Sequence, residues 1–351
     1  MFRPPSRSPS LPRRRPRAFA VAIAAAACCL SAAGQEEGQQ PPPSVYSRQA
    51  RATLKAVRAA AAQPAAAGPV VATAGESDAA AQAERIVASS IAAIGRAESV
   101  SIKLRQRVRI GDRVLVGAGR YLQSGQGEEQ RFRFETSLTS DSATYGIERE
   151  SFEVTEVSDG IFCWLHQRNG PDPPILQRLD VQRVRGRLAE LGAADPADAA
   201  PYLGGLRRML WWVRHWFRFT TAVPGEVEGR AVWLVEGSWP PGTLGAILPS
   251  LAESERREGG VRAEELPDGM PWVVRLAIGR ADLLPVRIEF LAIPGERPVS
   301  AGPLEVIMAL EFLEVEVDAP VDASAFYYQP ASEELIDLTG IVLRTMALPR
   351  P

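Results

Sequence analysis

The stretch VSIKLRQRVRIGDRVLVGAGRYLQ, Val100 to Gln123, decides the fold of this chain. In its first half, apolar residues at even positions alternate with polar and basic residues at odd positions, and an extended strand places these two sets on opposite faces. The even set is Val100, Ile102, Leu104, Val108 and Ile110, and the odd set is Ser101, Lys103, Arg105, Arg107 and Arg109. Gly111 and Asp112 then interrupt the pattern before a second extended run. The stretch therefore predicts a long antiparallel hairpin with one apolar and one basic face.

The turn of this hairpin can close in two registers. A three-residue turn over 111–113 pairs Ile110 with Val114, which matches apolar with apolar. A two-residue turn instead pairs Ile110 with Arg113. We expect the three-residue turn, because register follows the apolar pattern wherever one face is buried.

The composition describes a globular chain with a sizeable core. The sequence has 351 residues, is 46% hydrophobic and carries a formal net charge of -2. A near-neutral charge gives no electrostatic reason to expect nucleic acid as a partner. The two histidines, His166 and His215, do not stand in a metal-ligand spacing, so we expect neither a metal site nor a cofactor.

The N-terminus has the three parts of a secretory signal. Basic residues over 13–17 precede a short apolar run over 18–30, and small residues follow over 31–34. We interpret 1–33 as a signal peptide, with a lipid anchor at Cys28 or Cys29 as the less favoured alternative. Residues 34–82 are rich in Ala, Pro and Gln and are expected to be a disordered linker. The folded domain is then 83–351.

The remaining pattern predicts an α+β fold. Val87, Ile91 and Ile94 recur at helical spacing, and further helices are expected over 181–191, 201–217 and 244–258. Strands are expected over 131–138, 151–157, 161–167 and 230–239, and three more alternating runs follow in the C-terminal third. Because strands outnumber helices and flank them in sequence, the pattern favours one curved antiparallel sheet with helices packed on one face.

The residues do not assemble a recognisable active site. Cys163 lies between Phe162 and Trp164 in a predicted strand, as a small buried thiol would. Gly117 and Gly119 begin a dinucleotide motif but lack its third glycine, and they indicate close packing or bending of a strand. No G-x-S-x-G elbow occurs in the sequence. We therefore expect a protein that is not an enzyme.

The predicted helix over 201–217, which we call the tryptophan helix, carries an unusual aromatic load of Trp211, Trp212 and Trp216. One interpretation is core packing, since aromatic helix faces are usually buried. The other is a lid or an apolar contact over a cavity, with neighbouring arginines near lipid headgroups or a partner. We favour core packing for most of these rings. Adjacent helical residues diverge by about 100°, so we expect at least one ring to face something other than the sheet.

Several segments together resemble the periplasmic lipoprotein carriers, the LolA-like family. The resemblance covers about residues 83 to 332. Its matching residues are Gln106 and Val108; Gly117 and Gly119; Ser158, Asp159, Gly160 and Trp164; and Phe326, Tyr328 and Pro330. The carriers also have an Arg-Pro pair that holds a lid, where this chain has Gln123, Ser124 and Gly125.

The resemblance implies a half-open β-barrel with helices packed on its concave face as a lid. It implies an exported, periplasmic or cell-envelope carrier that binds acyl chains of lipids or lipoproteins in an apolar cavity, with a membrane-bound donor or acceptor protein as a further partner. The alternatives are an envelope sensor or interaction module on the same scaffold, and a lipid- or glycan-active enzyme. The candidate cavity-lining residues are Val100, Ile102, Leu104, Phe132, Phe134, Trp164, Leu210, Trp212, Trp216, Val274, Leu276, Ile288 and Phe290.

Overall fold

A computed structural model describes residues 74–110, 113–140, 151–192, 204–258, 261–262, 265–267, 269–293, 304–330 and 334–347. The strands within these residues are β1 (Ser99–Ile110), β2 (Arg113–Ser124), β3 (Arg131–Ser140), β4 (Ser151–Ser158), β5 (Phe162–Asn169), β6 (Ile175–Asp180), β7 (Arg218–Val227), β8 (Arg230–Ser238), β9 (Val273–Gly279), β10 (Pro285–Ala292), β11 (Glu305–Val317) and β12 (Leu335–Asp337). The helices are α1 (Ala74–Arg96), α2 (Val181–Glu190), α3 (Gly205–Trp216), α4 (Thr243–Ile247), α5 (Ala252–Glu258) and α6 (Thr339–Ala347).

The strands form a single curved sheet that does not close. Its order is β12-β6-β5-β4-β3-β2-β1-β11-β10-β9-β8-β7. Neighbouring strands are antiparallel except for the short β12, which runs parallel to β6. The pairing of β1 with β11 joins the N-terminal strands to the C-terminal strands. The predicted α+β class and curved, half-open antiparallel sheet are confirmed.

The β1–β2 hairpin places apolar and basic residues on opposite faces of the sheet, as the alternation predicts. On β1, Val100 and Leu104 are 0% and 3% exposed, whereas Lys103 and Arg105 are exposed. The apolar set faces the helices, and we call this the concave face and its opposite the convex face. Carboxylates of β11 pair with members of the basic set: Lys103 pairs with Glu314 at 2.5 Å, and Arg109 with Glu305 at 2.5 Å.

The hairpin register differs from the expected one. Ile110 pairs with Arg113, and Arg109 pairs with Val114. The prediction of a three-residue turn is wrong, because the burial pattern of β2 decides the register. Leu115 and Tyr121 are each 1% exposed on the concave face, and this alternation turns Val116 outward, where it is 42% exposed.

The glycines of β2 allow an unusually close approach to β3. A Cβ added to Gly119 would lie 2.1 Å from the carbonyl oxygen of Glu135, and one added to Gly117 would lie 1.9 Å from that of Ser137. No side chain fits at such distances. The two glycines therefore mark close packing within a strand, as the sequence indicates, and not a nucleotide-binding turn.

Helices cover the concave face in two groups. Helix α1 packs across β7, β8 and β9 and contacts the tryptophan helix α3, while α2 and α6 pack together over β5 and β6. Helix α1 begins at Ala74, so residues 74–82 are helical although their composition assigned them to the linker. These residues are rich in alanine, which adds little to a hydrophobic core and so suggested a linker. Alanine also has the highest helix propensity, which favours the helix that forms.

Other differences between the predicted and the observed elements arise because Pro, Gly and polar residues interrupt the apolar periodicity of the sequence. Strands β6, β7 and β12 are not predicted, and β7 carries Pro224 and Gly225 at the edge of the sheet, where proline is tolerated. The predicted helix over 244–258 is divided into α4, a 3₁₀ turn (Pro249–Leu251) and α5. Pro249 explains the division, because proline cannot continue a helix.

Candidate functional site

The candidate site is the concave face of the sheet beneath α1 and the tryptophan helix. The nine predicted side chains from β1, β3, β9 and β10 lie on this face and are buried; they are Val100, Ile102, Leu104, Phe132, Phe134, Val274, Leu276, Ile288 and Phe290. The pairings β1–β11 and β11–β10 place the residues of β1 and β3 on the same face as those of β9 and β10, although Val100 and Val274 are far apart in sequence. The sheet therefore presents a largely apolar surface, on which Gln106, Thr136 and Glu156 are the buried polar side chains nearest these residues.

The tryptophan helix lies across this surface. Leu210 is 1% exposed, Trp212 is 9% exposed and Trp216 is half-buried. At the C-terminal end of the helix, the ring of Phe217 lies 6.1 Å from that of Phe290. The three predicted residues of this helix therefore lie with the nine sheet residues on the concave side.

The concave side chains and the helices form one filled hydrophobic cluster. Val87, Ile91 and Ile94 of α1, with Leu206 and Val213 of the tryptophan helix, are each less than 10% exposed and pack in the same cluster as the sheet residues. In this arrangement the predicted side chains contact helix side chains and do not line an open cavity. A cavity here stays a prediction, and it requires the helices to move.

Trp164 does not join this group. Val157 pairs with Trp164 and also with Arg133, which places the indole on the convex face. Its ring lies 5.9 Å from that of Tyr328 in the segment after β11. The prediction that Trp164 shares a face with the other candidates is wrong: its alternation with the inward Cys163 and Leu165 turns it outward. The two motif segments that carry Trp164 and Tyr328 meet there and hold the C-terminal chain on the sheet.

A buried ion pair connects the sheet to the tryptophan helix. Nη2 of Arg208 lies 2.6 Å from Oε1 of Glu156 on β4, and both side chains are 3% exposed. The backbone N–H of Gly205 donates to Oε2 of Glu156 at 3.5 Å, and Sγ of Cys163 donates to Oε1 at 3.6 Å. We call these four groups the buried anchor.

Burial dominates the electrostatics of the buried anchor. Desolvation raises the pKa of Glu156 above its ordinary value, although the Arg208 guanidinium opposes this shift. Desolvation, followed by the negative charge of Glu156, raises the pKa of the Cys163 thiol well above its ordinary value. Cys163 is therefore a thiol, not a thiolate, at neutral pH, and it is not an activated nucleophile.

Two glycines let the tryptophan helix start directly over the buried anchor. Gly204 and Gly205 have φ angles of +93° and +71°, a region that favours glycine. A Cβ on Gly204 would lie 2.5 Å from Cζ of Phe132 and 2.6 Å from Oε1 of Glu156. The close approach brings the Gly205 amide to the Glu156 carboxylate, at the helix end where negative charge is favoured.

A second set of buried hydrogen bonds holds α1. The hydroxyl of Tyr121 donates to Oε1 of Gln123 at 2.7 Å, and Nε2 of Gln123 donates to the Ile94 carbonyl oxygen at 2.9 Å. A Cβ added to Gly205, at the start of the tryptophan helix, would lie 3.1 Å from the same Tyr121 hydroxyl, so both helices approach one side-chain pair. Gln123, which stands where the LolA-like carriers have their Arg-Pro pair, thus ties a helix to the sheet in this chain.

The two helices are also tied to each other. Oε2 of Glu84 on α1 accepts from Nε of Arg214 at 3.2 Å, and its Oε1 accepts from the backbone N–H of Phe219 at 3.1 Å. This contact lies on the outer side of the helices, where both charged side chains are partly exposed. Glu84 therefore links α1 to both the tryptophan helix and the start of β7, and we call α1 and the tryptophan helix together the lid.

The outer flank of the tryptophan helix carries a cluster of rings. Trp211 stacks on His215 at 4.8 Å, Trp212 on Trp216 at 5.8 Å, and Trp216 lies 6.5 Å from Trp239. Desolvation among these rings lowers the pKa of His215. Nε1 of Trp212 is buried and has no hydrogen-bond partner in the part of the chain that the structure describes. Leu210 therefore packs in the main core and Trp216 packs against it, and the ring contacts continue from Trp216 to Trp212 and Trp239.

Sequence reasoning missed the polar residues of this site. Glu156 occupies an inward position of β4, in line with Phe152 and Val154, and this was the signal that could have found it. Arg208 shares one helical flank with Trp212 and Trp216 at a spacing of four residues.

Glu156 is the one buried carboxylate among the described residues, and they contain no group of three or more potential metal ligands. None of the described helices is long and apolar enough to cross a membrane.

Comparison with known proteins finds similarity in structure only. No family model and no curated protein matches the sequence. Among solved structures, MucB alone and MucB in complex with MucA(peri) align at 13% and 14% identity, with TM-scores of 0.33 and 0.32. These alignments cover 73% and 71% of this chain but 64% and 60% of MucB, so the chain spans less than two thirds of its length.

Two further structures align over most of their own length. LprF from Mycobacterium bovis aligns at 12% identity and a TM-score of 0.31, over 69% of this chain and 96% of LprF. A LolA superfamily protein from Nitrosomonas europaea aligns at 11% identity and a TM-score of 0.24, over 70% of this chain and 97% of that protein. The structural neighbours thus include a protein of the superfamily that the sequence resembles.

Proposed function

We propose that the protein is a binding protein for acyl chains of lipids or lipoproteins, and that the chains enter the concave face when the lid moves. One observation carries the proposal: a largely apolar sheet surface is covered by two helices that contact each other and that a few buried polar contacts hold in place. A purely structural core needs no such contacts, because apolar packing alone would stabilise it as well or better.

The free energies involved are compatible with a moving lid. A buried ion pair such as Glu156–Arg208 contributes little net stability, since desolvation offsets most of its attraction, yet it selects one arrangement of the helix. An acyl chain that replaces the helix side chains keeps the sheet surface out of water. Each buried CH₂ contributes about 0.8 kcal/mol, so a long chain offsets the loss of the helix contacts.

The proposal includes export and transfer. The signal-like residues 1–33 support secretion into the periplasm or cell envelope, and residues 34–73 then precede the helical cover as a spacer. The sequence has no nucleotide-binding motif that could drive release. Release then depends on an acceptor that binds the acyl chains more tightly, such as a membrane-bound protein.

The first test is binding of a dansylated fatty acid to the full chain. We expect saturable binding with energy transfer from tryptophan to the dansyl group, because the tryptophan helix borders the ligand. Trp212→Ala should weaken binding by at least about tenfold, since it removes an indole whose burial contributes roughly 1.5–3 kcal/mol.

The matched control is Trp164→Ala, which removes an indole of the same size from the convex face. It should leave the probe affinity within about twofold, and the melting temperature of each variant shows whether it is folded. The proposal fails if the native chain binds no acyl probe, or if the two variants weaken binding equally. A partner-dependent activity without acyl binding would instead favour the interaction-module alternative.

The second test uses Cys163 as a reporter of lid movement. The thiol is buried beneath the tryptophan helix and its pKa is raised, so we expect slow alkylation by iodoacetamide in the native chain and fast alkylation in urea. Mass spectrometry of the Cys163 peptide separates this site from Cys28 and Cys29. A saturating fatty acid should accelerate alkylation severalfold, and an unchanged rate at full occupancy would show that ligands bind without moving the lid.

A further inference from the structure

The buried anchor joins the lid to the sheet through two opposite charges. Arg208 belongs to the tryptophan helix and Glu156 to β4, so the ion pair crosses from the element that moves to the element that stays in place. Among the described residues, Glu156 is the one buried carboxylate and Arg208 the one buried cationic side chain. Lifting the tryptophan helix off the sheet therefore separates the two buried charges.

The separated charges need new partners, because an unpaired charge that is kept out of water is strongly unfavourable. An acyl chain between the lid and the sheet excludes water from both groups. A ligand with an uncharged headgroup would leave both charges without a partner. A ligand with an anionic headgroup would pair with Arg208 and leave only Glu156 to be neutralised.

The tryptophan helix already holds a carboxylate. Nη2 of Arg208 lies 2.6 Å from one oxygen of Glu156, and the backbone N–H of Gly205 donates to the other oxygen at 3.5 Å. Both donors belong to the same helix and move together with it. Donors that receive the two oxygens of a glutamate side chain equally suit two oxygens of a ligand carboxylate or phosphate.

Glu156 can lose its charge where it stands. Burial already raises its pKa, and loss of the guanidinium raises it further. The titratable groups beside it are the Cys163 thiol and the Tyr121 hydroxyl, and burial raises the pKa of both, so neither ionises at neutral pH. The other charges that act on these two neighbours are those of Asp159 and Arg207. Uptake of one proton by Glu156 therefore removes the remaining buried charge.

We propose that an acyl ligand with an anionic headgroup replaces Glu156 as the partner of Arg208 when the lid moves. The headgroup oxygens accept from the Arg208 guanidinium and the Gly205 N–H, and Glu156 takes up one proton from the solvent, so that no buried charge is left unpaired. This inference rests on the proposed acyl-binding function. It narrows the ligands to acyl chains that carry a carboxylate or a phosphate.

The first test compares the dansylated fatty acid with its methyl ester on the full chain at neutral pH. The two probes share the acyl chain and differ in headgroup charge. Burial of apolar surface alone would favour the ester, whereas an exchange of partners at Arg208 should make the acid bind about tenfold more tightly or better. Inorganic phosphate, which has the charge but no acyl chain, should not displace the acid.

The outcomes separate this inference from the proposed function. Saturable binding of both probes with equal affinity, or with the ester preferred, would overturn the inference and leave acyl binding standing. Displacement of the acid by inorganic phosphate would indicate a site for free anions and would also overturn it. Failure of both probes to bind would overturn the acyl-binding function together with the inference.

Glu156→Gln should raise the ratio of acid to ester affinity by about tenfold, because the uncharged amide leaves Arg208 to the ligand. A looser lid alone would improve binding of both probes alike and leave the ratio unchanged, which would contradict the proposal. Glu156→Leu/Arg208→Met, in which apolar groups replace the ion pair, should lower the ratio about tenfold or more. The matched control Arg85→Met removes an exposed arginine from α1 and should keep the native ratio.

A dansylated alkyl sulfonate tests the proton uptake, because its own charge does not change with pH. Binding of the sulfonate to Arg208 raises the pKa of Glu156, so the complex binds the proton more tightly than the free protein. This gain in affinity is present at low pH and is lost as pH rises through the raised pKa. We expect tighter binding at mildly acidic than at alkaline pH in the native chain, and no such difference in Glu156→Gln. The same pH dependence in both chains, or none in the native chain, would overturn the proposal.

Discussion

Replacing Arg208 with methionine is expected to lower the free energy of unfolding by about 3–5 kcal/mol at neutral pH, because it leaves the buried Glu156 carboxylate without its cationic partner. Urea denaturation followed by tryptophan fluorescence measures the change. The double variant Glu156→Leu/Arg208→Met should recover most of the loss, since apolar groups of similar size replace a buried ion pair at little cost. A double variant as unstable as the single one would show that the anchor does not act as a pair.

The loss in Arg208→Met should depend on pH. Burial already raises the pKa of Glu156 in the folded state, and removal of the guanidinium raises it further. Because the pKa of Glu156 is then higher in the folded than in the unfolded state, the folded state binds the proton more tightly. Protonation of Glu156 therefore stabilises the fold at low pH, and this stabilisation is lost as pH rises through the raised pKa. The difference between Arg208→Met and the native chain should therefore be smaller at acidic than at neutral pH. A pH-independent difference would contradict this account.

Replacing Gly204 with alanine is expected to lower the free energy of unfolding by about 2–5 kcal/mol. The φ of +93° and ψ of -172° belong to a region that is essentially restricted to glycine, at about 1–3 kcal/mol for other residues. The added methyl would also meet Phe132 and Glu156 at distances that force overpacking, which typically costs about 1–3 kcal/mol. The same urea titration measures the change, and faster alkylation of Cys163 should accompany it.

Gly242→Ala separates backbone strain from the clash. Gly242 has a φ of +84°, and a Cβ there would meet no atom within 4 Å. Only strain should act, so we expect a loss of about 1–2 kcal/mol and no change in Cys163 alkylation. Equal effects of the two substitutions would mean that the contact of Gly204 with the buried anchor contributes nothing to the position of the helix.

Local patterns in the sequence determined much of the architecture. The alternation from Val100 to Ile110 is long enough to specify a strand and the face it buries, and the break at Gly111 and Asp112 specifies a hairpin. Within β11 the apolar residues change from even positions, such as Leu310 and Phe312, to odd positions from Leu313 onward. The pairing of β11 with β1 shifts its register in the same part of the strand. These features are readable because a strand or helix repeats its burial every two or about 3.6 residues, so neighbouring residues carry the information.

Only the tertiary structure decided which polar groups meet and which face each aromatic ring takes. Glu156 and Arg208 are far apart in sequence, and each looks like an ordinary surface charge until the sheet and the tryptophan helix bury both. Trp164 and Trp212 both look like core residues, yet Trp164 lies on the convex face and Trp212 belongs to the lid. The physical reason is that burial of a charge or a ring depends on the whole path of the chain, whereas sequence patterns report only local periodicity. For the same reason the sequence indicated an apolar sheet face, while the structure decided that side chains of α1 and the tryptophan helix pack against it.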